Sequence, residues 1–256
     1  LYPIIKEGRL LAMKTVRLGK LIVIEGSDGC GKNTQAKLLV EELNRRKIKS
    51  KLVSFPNYDS LSSGPVQMYL NGELGKLDDI SFRQASILYA VDRFCTIRSQ
   101  GIDKLLDEGW YIVCDRYVPS NLIHQAAKYY GKPMTVNLVV DWINNLEYRE
   151  LKLPEPDIVI FLDVKPEISA KLKESRLKNP DMSKTGIVDR SKDIHESNTD
   201  FMTKSYLNGI DIAKKLGWII IDCNDTSDDQ SSIKPIEFIH KDIINTILMN
   251  FDNKNM

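Results

Sequence analysis

The segment Gly26-Ser27-Asp28-Gly29-Cys30-Gly31-Lys32-Asn33-Thr34 concentrates the chemistry of this chain. Glycines let a backbone turn its N–H groups inward around an anion. A helix starting there adds unpaired donors and a partial positive charge. Lys32 is a mobile ammonium that reaches the outer phosphates. The spacing from Gly26 to Gly31-Lys32 fits G-x-x-x-x-G-K, the pattern of a loop that cradles a nucleoside triphosphate. Its last position is ordinarily Ser or Thr, and here it is Asn33.

Such a loop works only between a strand and a helix. The apolar run Leu21-Ile22-Val23-Ile24 precedes it, and Ala36, Leu39, Val40 and Leu43 follow on one helical face. Further strands are predicted at Lys51 to Phe55, Trp110 to Cys114, Ile158 to Leu162 and Trp218 to Asp222. Helices are predicted at Ser81 to Thr96, Gly101 to Glu108, Pro119 to Tyr130, Thr135 to Asn145, Lys165 to Arg176, Phe201 to Leu216 and Ile236 to Met249. Five apolar strands alternating with helices predict an α/β protein with a parallel sheet flanked by helices on both faces. Ligands of such sheets sit outside the carboxyl ends of the strands. The candidate loops are therefore Gly26 to Thr34, Phe55 to Ser63, Asp115 to Gln125, the segment after Asp163, and Asn224-Asp225.

Composition narrows the function. Across 256 residues, 36 Lys and Arg nearly cancel 35 Asp and Glu, so nothing global calls for nucleic acid. There is no apolar run of about 18 residues, the length a membrane helix needs. Cys30, Cys95, Cys114 and Cys223 lack a C-x-x-C pair and read as reduced thiols in a cytoplasmic protein. Residues 1–19 are expected to be a dispensable extension with a plausible start at Met13, and 251–256 a frayed tail.

Five segments in order now resemble one family. They are the loop from Gly26 to Gln35, Ser54-Phe55-Pro56-Asn57-Tyr58-Asp59-Ser60, Tyr89-Ala90-Val91-Asp92-Arg93, Asp115-Arg116-Tyr117-Val118-Pro119-Ser120, and Leu153-Pro154-Glu155-Pro156-Asp157. The chain resembles a thymidylate kinase over residues 20–250. That resemblance implies the P-loop NTPase fold, transfer of the ATP γ-phosphoryl group to dTMP with Mg²⁺, and a homodimer. It also implies a lid over residues 173–198.

Phosphoryl transfer asks a protein mainly for positioning and charge neutralisation. Lys32 and Arg116 are the expected catalytic cations, joined by Arg176 or Arg190 from the lid, because Gly29 stands where some relatives carry an arginine. Gly26, Ser27, Gly29, Cys30, Gly31, Lys32, Asn33 and Thr34 are expected to bind ATP. Asp115 ends an apolar strand and is the candidate Mg²⁺ ligand. For the acceptor, the resemblance assigns Asp28 to the sugar hydroxyl and Tyr89 to the base face. Arg93 goes to the carbonyl edge or monophosphate, Phe55 and Pro56 to the wall, and Ser120 and Gln125 to the base. Tyr58 stands where many relatives have arginine, leaving the acceptor phosphate to Arg93 and Arg116. For Arg116 the competing reading is a surface salt bridge that caps a helix, and mid-helix Arg93 has a structural role as its stronger alternative. Asp193 and Glu196 form a D-x-x-E pattern near the lid's end, and His124 occupies a position often aromatic in the family. Rival functions are a kinase for another nucleoside monophosphate or a deoxynucleoside, and an inactive nucleotide-binding protein, the latter prompted by Asn33. The D-x-x-G and N-K-x-D signatures of a GTPase switch are absent.

Overall fold

The computed structural model describes residues 17–177, 195, 198–225 and 232–252, with backbone alone at 173, 175–177 and 252. Strand β1 (Lys20–Gly26) lies at the centre of a five-stranded parallel sheet. Its neighbours are β3 (Tyr111–Asp115) and β4 (Ile158–Asp163). Outside them pair β2 (Ser50–Ser54) and β5 (Ile219–Asp222), giving the order β2-β3-β1-β4-β5. Alternate residues of β1 serve opposite faces. Leu21 and Val23 join one core with Ile97, Leu122 and Ile143, while Ile22 and Ile24 join the other with Leu39, Leu43 and Ile243. Burial on both faces is why the strands are continuous apolar runs rather than alternating ones.

The phosphate-side helix α1 (Lys32–Arg45) starts directly after the glycine loop. Helix α2 (Gly64–Leu70) follows a 3₁₀ turn, Leu61–Ser63. The sequence shows no period there because the helix has only 7 residues and begins with Gly-Pro. Helix α3 (Phe82–Ser99) is entered through a capping box, with Ser81 and Gln84 bonding reciprocally. Next come α4 (Ile102–Asp107), α5 (Val118–Ala127) and α6 (Pro133–Asn144), which continues as a π-helical turn, Asn145–Glu150. Helix α5 is buried along its whole length, which its apolar run Leu122-Ile123 and small residues permit. Helices α7 (Pro166–Leu177) and α8 (Thr199–Leu216) follow β4, and α7 runs into the first residues of the expected lid, 173–198. A short antiparallel pair, β6 (Asn224–Asp225) with β7 (Ser232–Ile233), precedes α9 (Ile236–Asp252). Neither two-residue strand has a sequence signature.

Two boundaries differ from expectation. The tail does not begin at Phe251, which lies in α9, is buried, and meets the Tyr111 ring at 5.6 Å. An aromatic two residues past the predicted helix end still packs into the core when the helix runs on. The expected extension also ends earlier than residue 19. Arg17 pairs with Asp157, and the Gly19 N–H donates to Leu106 O at 2.7 Å. A Cβ on Gly19 would lie 2.2 Å from Trp110 O and 2.6 Å from Leu106 O, both backbone atoms. Residues 1–16 and 253–256 lie outside the described residues.

Gly19→Ala is therefore expected to destabilise the fold by about 1–3 kcal/mol through overpacking. A urea midpoint equal to that of the parent would refute the packing of residues 17–19 into the domain.

Candidate active site

Between β1 and α1 the chain must turn sharply beside the neighbouring strand. Gly26 adopts φ 147°, and a Cβ there would approach Leu162 O and Cys30 Sγ to 2.8 Å each. No other residue type fits. Cys30 N–H closes the turn onto Ser27 O at 3.3 Å. The Lys32 ammonium lies inside the loop, donating to Gly26 O at 3.0 Å and to Ser27 O at 2.6 Å. Its charge is thus stored where phosphate oxygens would compete for it. Burial pushes the Cys30 thiol up despite Lys32 nearby, so this cysteine is a small packed residue rather than a nucleophile.

Parallel pairing of β1 with β3 puts Asp115 level with Ile24 and carries the β3 end to the loop. The Asn33 amide donates to Asp115 Oδ2 at 3.0 Å. Arg116 takes φ 67°, uncommon for a residue with a side chain, and its N–H donates to Ile24 O at 3.1 Å. Its guanidinium forms an ion pair with Asp28 of the loop. The same group donates to Ser120 Oγ at 3.4 Å and to His124 Nε2 at 3.2 Å. Burial raises the Asp28 carboxyl, but Arg116 and Lys32 outweigh it and hold it well below the usual range. Burial likewise works against the Arg116 charge, and the surrounding Asp28, Glu25 and Asp115 carboxylates override it.

Since arginine only donates, His124 Nε2 is an acceptor and its ring is neutral. Burial pushes His124 down to about 4. His195, whose Nε2 lies 2.8 Å from Tyr69 OH, is pushed down to about 3, again by burial first. The two rings lie 6.2 Å apart, and His195 packs edge-on to Phe201 at 4.9 Å.

The residues expected to bind the acceptor divide into two groups. Asp28, Arg116 and Ser120 converge as described. Tyr89 stands edge-on to Tyr69 at 6.3 Å and is only partly buried. Phe55 is buried with its ring 5.5 Å from Tyr117, and its bond to Pro56 is cis. Tyr58 and Pro56 are partly exposed. Gln125 is wholly buried with neither amide atom partnered. Arg93 lies in a buried ion pair, its Nε 2.5 Å from Glu147 Oε2 and its Nη2 2.7 Å from Oε1. A third nitrogen, Nη1, reaches Tyr117 O at 3.4 Å. The structural role weighed for Arg93 is thus present, and that pair leaves Nη1 the most weakly held nitrogen of the fork. Arg176 lies on α7 by its backbone. Arg190, Asp193 and Glu196 lie outside the described residues.

Four residues went unread in the sequence. Glu25, inside the β1 run, is fully buried and was detectable as a charge breaking an apolar strand. Asp92 accepts from Asn57 N at 2.9 Å and Ser62 Oγ at 2.7 Å, fastening the β2 loop to α3. Glu147 and Asn121 support Arg93, Asn121 donating to Glu147 Oε1 at 2.8 Å. A glutamate on a helix gives no sequence sign that it is buried.

Residues 24–232 match the model of the family described as thymidylate kinase. The chain belongs to the thymidylate kinase family. Curated relatives named thymidylate kinase include that of Caenorhabditis elegans, 33% identical over 59% of this chain and 66% of its own length. Another, from Plasmodium falciparum, is 29% identical over 77% of this chain and 84% of its own. A third, from Brachyspira hyodysenteriae, is 31% identical over 84% and 89%. Among solved structures, the thymidylate kinase of Candida albicans superposes with a TM-score of 0.62 at 25% identity, covering 91% of this chain and 92% of that one. The Candida albicans structure reveals the origin of that enzyme's broad substrate specificity. The sheet and loop are those of the family's P-loop NTPase fold, and the reaction is phosphorylation of dTMP by ATP.

Two predictions come from the buried charges. Glu147→Ala should cost about 3–5 kcal/mol by leaving Arg93 unpaired in the interior, read from chemical denaturation; a loss below about 1 kcal/mol would contradict a dry pair. His124 and His195 bind protons less readily folded than at their ordinary 6.5. Their contribution to stability is complete above that value and is lost as pH falls toward about 4. The melting temperature should drop across that interval, and less steeply in a His124→Phe, His195→Phe double variant. Parallel profiles would disprove the assignment.

Proposed function

We propose that ATP and dTMP meet end to end at the carboxyl edge of the sheet, with Lys32 and Arg116 as the two fixed cations at the junction. The observation that carries this reading is the Arg116–Asp28 ion pair, which joins the β3 loop to the phosphate loop. Loop glycines and the start of α1 receive the triphosphate, with Gly26, Ser27, Gly29, Cys30, Gly31, Asn33 and Thr34 as its surroundings. An incoming γ-phosphate displaces the Lys32 ammonium from the Gly26 and Ser27 carbonyls. Binding of an acceptor phosphate by Arg116 loosens Asp28, which is then placed to accept a hydrogen bond from the sugar hydroxyl.

The acceptor base is assigned to the space bordered by Tyr89, Phe55, Pro56, Ser120 and Gln125. The unpartnered Gln125 amide offers one donor side and one acceptor side, which suits the edge of a pyrimidine. Arg93 Nη1, its two sister nitrogens fixed by Glu147, is the part of that fork assigned to the substrate. Tyr58 takes a place at the pocket mouth, and the lid cation is assigned to Arg176 or Arg190.

The residues present fit Mg²⁺. Asp115 Oδ2 accepts from Asn33, while its other oxygen carries no hydrogen bond among the described residues. No three-ligand cluster exists among those residues, so the remaining ligands would be phosphate oxygens and water, the usual habit of this ion. When bound, the ion supplies neutralisation of the β- and γ-phosphate charge. Asn33 fills the usual hydroxyl position by holding Asp115.

A homodimer and a cytoplasmic setting complete the proposal. Helices α3 and α6 touch, and each exposes two apolar residues one turn apart: Ile87 and Val91, Met134 and Leu138. Such a surface favours self-association. The four cysteines are unpaired, as in a reducing compartment, and no described helix is long and apolar enough to cross a membrane.

ADP release should be fastest with dTMP in a panel of nucleoside monophosphates, and Lys32→Ala should lower kcat by about 10²–10³-fold with an unchanged melting temperature. A preference for dCMP, dGMP or thymidine would favour the rival kinases. Tight ATP binding without turnover on any acceptor would favour the inactive reading.

A further inference from the structure

Glu25 is a buried carboxylate that the reaction scheme above does not use. It sits next to last in β1, fully buried, one residue before the phosphate loop. Two donors converge on it. Tyr117 N–H reaches Oε1 at 3.0 Å, and Ser120 O–H lies 2.9 Å from Oε1 and 2.8 Å from Oε2. Tyr117 is the residue after Arg116, and Ser120 Oγ in turn accepts from Arg116 Nη1 at 3.4 Å. The Arg116 N–H is held by Ile24 O, from the residue before Glu25. Consecutive residues of β1 therefore grip consecutive residues of the β3 loop.

This grip answers a backbone problem. Arg116 has φ 67°, a conformation that residues with a Cβ adopt only when the surroundings impose it. The Ile24 carbonyl fixes the peptide before it, and the Glu25 carboxylate fixes the peptide after it. The Arg116 fork then meets Asp28 on one side and His124 on the other. A carboxylate suits the task because it only accepts, and both of its partners here donate. Burial raises the Glu25 carboxyl, while the Arg116 and Lys32 charges act the opposite way.

We propose that Glu25 is a positioning residue for the transfer: by accepting from Tyr117 N and Ser120 Oγ it holds Arg116 in the left-handed turn that aims its guanidinium at the two phosphates. This rests on the reading of Arg116 as the cation at the phosphate junction. Glu25→Gln keeps shape and one acceptor but presents an NH₂ group to Ser120. That forces the hydroxyl to turn and loosens the arginine.

The test is a kinetic double-mutant cycle on the full chain. Glu25→Gln is expected to lower kcat for dTMP about 30-fold, with the Kd of ATP changed less than about threefold. In an Arg116→Lys background, where the fork is gone, the same substitution should cost less than about threefold. A residue that merely supports the fold would lower activity equally in both backgrounds and weaken ATP binding alongside. Full additivity would thus overturn the inference alone. A wild-type kcat in Arg116→Lys by itself would overturn the reading of Arg116, and this inference with it. Should Glu25→Gln fail to fold, Glu25→Asp keeps the charge and shortens its reach. It goes through the same cycle with the same outcomes.

Discussion

The electrostatic balance at the carboxyl edge of the sheet constrains everything around it. Lys32 and Arg116 are the cations proposed to meet phosphate, and a buried cation with no partner is costly. This chain solves the problem internally. Lys32 is held by two loop carbonyls, and Arg116 by Asp28 with Glu25 behind it. The Gly26 and Ser27 carbonyls and the Asp28 carboxylate are the partners that phosphate is proposed to replace, whereas Glu25 keeps its bonds to Tyr117 and Ser120. The cations are thus held in place by the chain itself, and on the proposed reading binding exchanges those partners for phosphate oxygens.

Placing those groups requires three chain segments to meet within a few ångströms. Parallel pairing brings the ends of β1, β3 and β2 to one edge, since Asp115 is level with both Ile24 and Ser54. Side-chain bonds then fasten each loop to a helix behind the sheet. Asp92 of α3 holds the loop after β2, and Glu25 holds the start of α5. Behind α5, Glu147 gathers Arg93 and Asn121 into one satisfied cluster. Buried polar groups of this kind are expensive unless every member is bonded. Here they do not add much to stability against an apolar alternative; they determine where the loops stand.

The same logic explains the neutral histidines. His124 accepts from Arg116 and therefore carries no proton on Nε2, which keeps a further positive charge away from the arginine. His195 is joined to Tyr69 and packed on Phe201, so this residue of the expected lid span is tied to α2 and α8 by one ring. Among the described residues, the proposed acceptor side presents aromatic and neutral groups beside the charges of Arg116, Asp28 and the weakly held edge of Arg93.

Much of this was legible from residue order. Phosphate loops, apolar strands and the Asp115-Arg116 strand end are local signals, because a glycine turn or a strand needs only neighbouring residues to declare itself. The five strands and the site's edge followed from that. What tertiary structure alone decided concerns pairs far apart in the chain. By sequence Arg93 is a mid-helix residue and Glu147 has no assigned role, and only packing buries the two as a pair. Phe251 and Gly19 looked terminal, and only the neighbours Tyr111 and Trp110 made them part of the core. Helix α2 and the β6–β7 pair are too short for periodicity to register. A sequence states which side chains can bond; where a partner lies 54 or 92 residues away, as for Arg93–Glu147 and Glu25–Tyr117, only the fold chooses among the candidates.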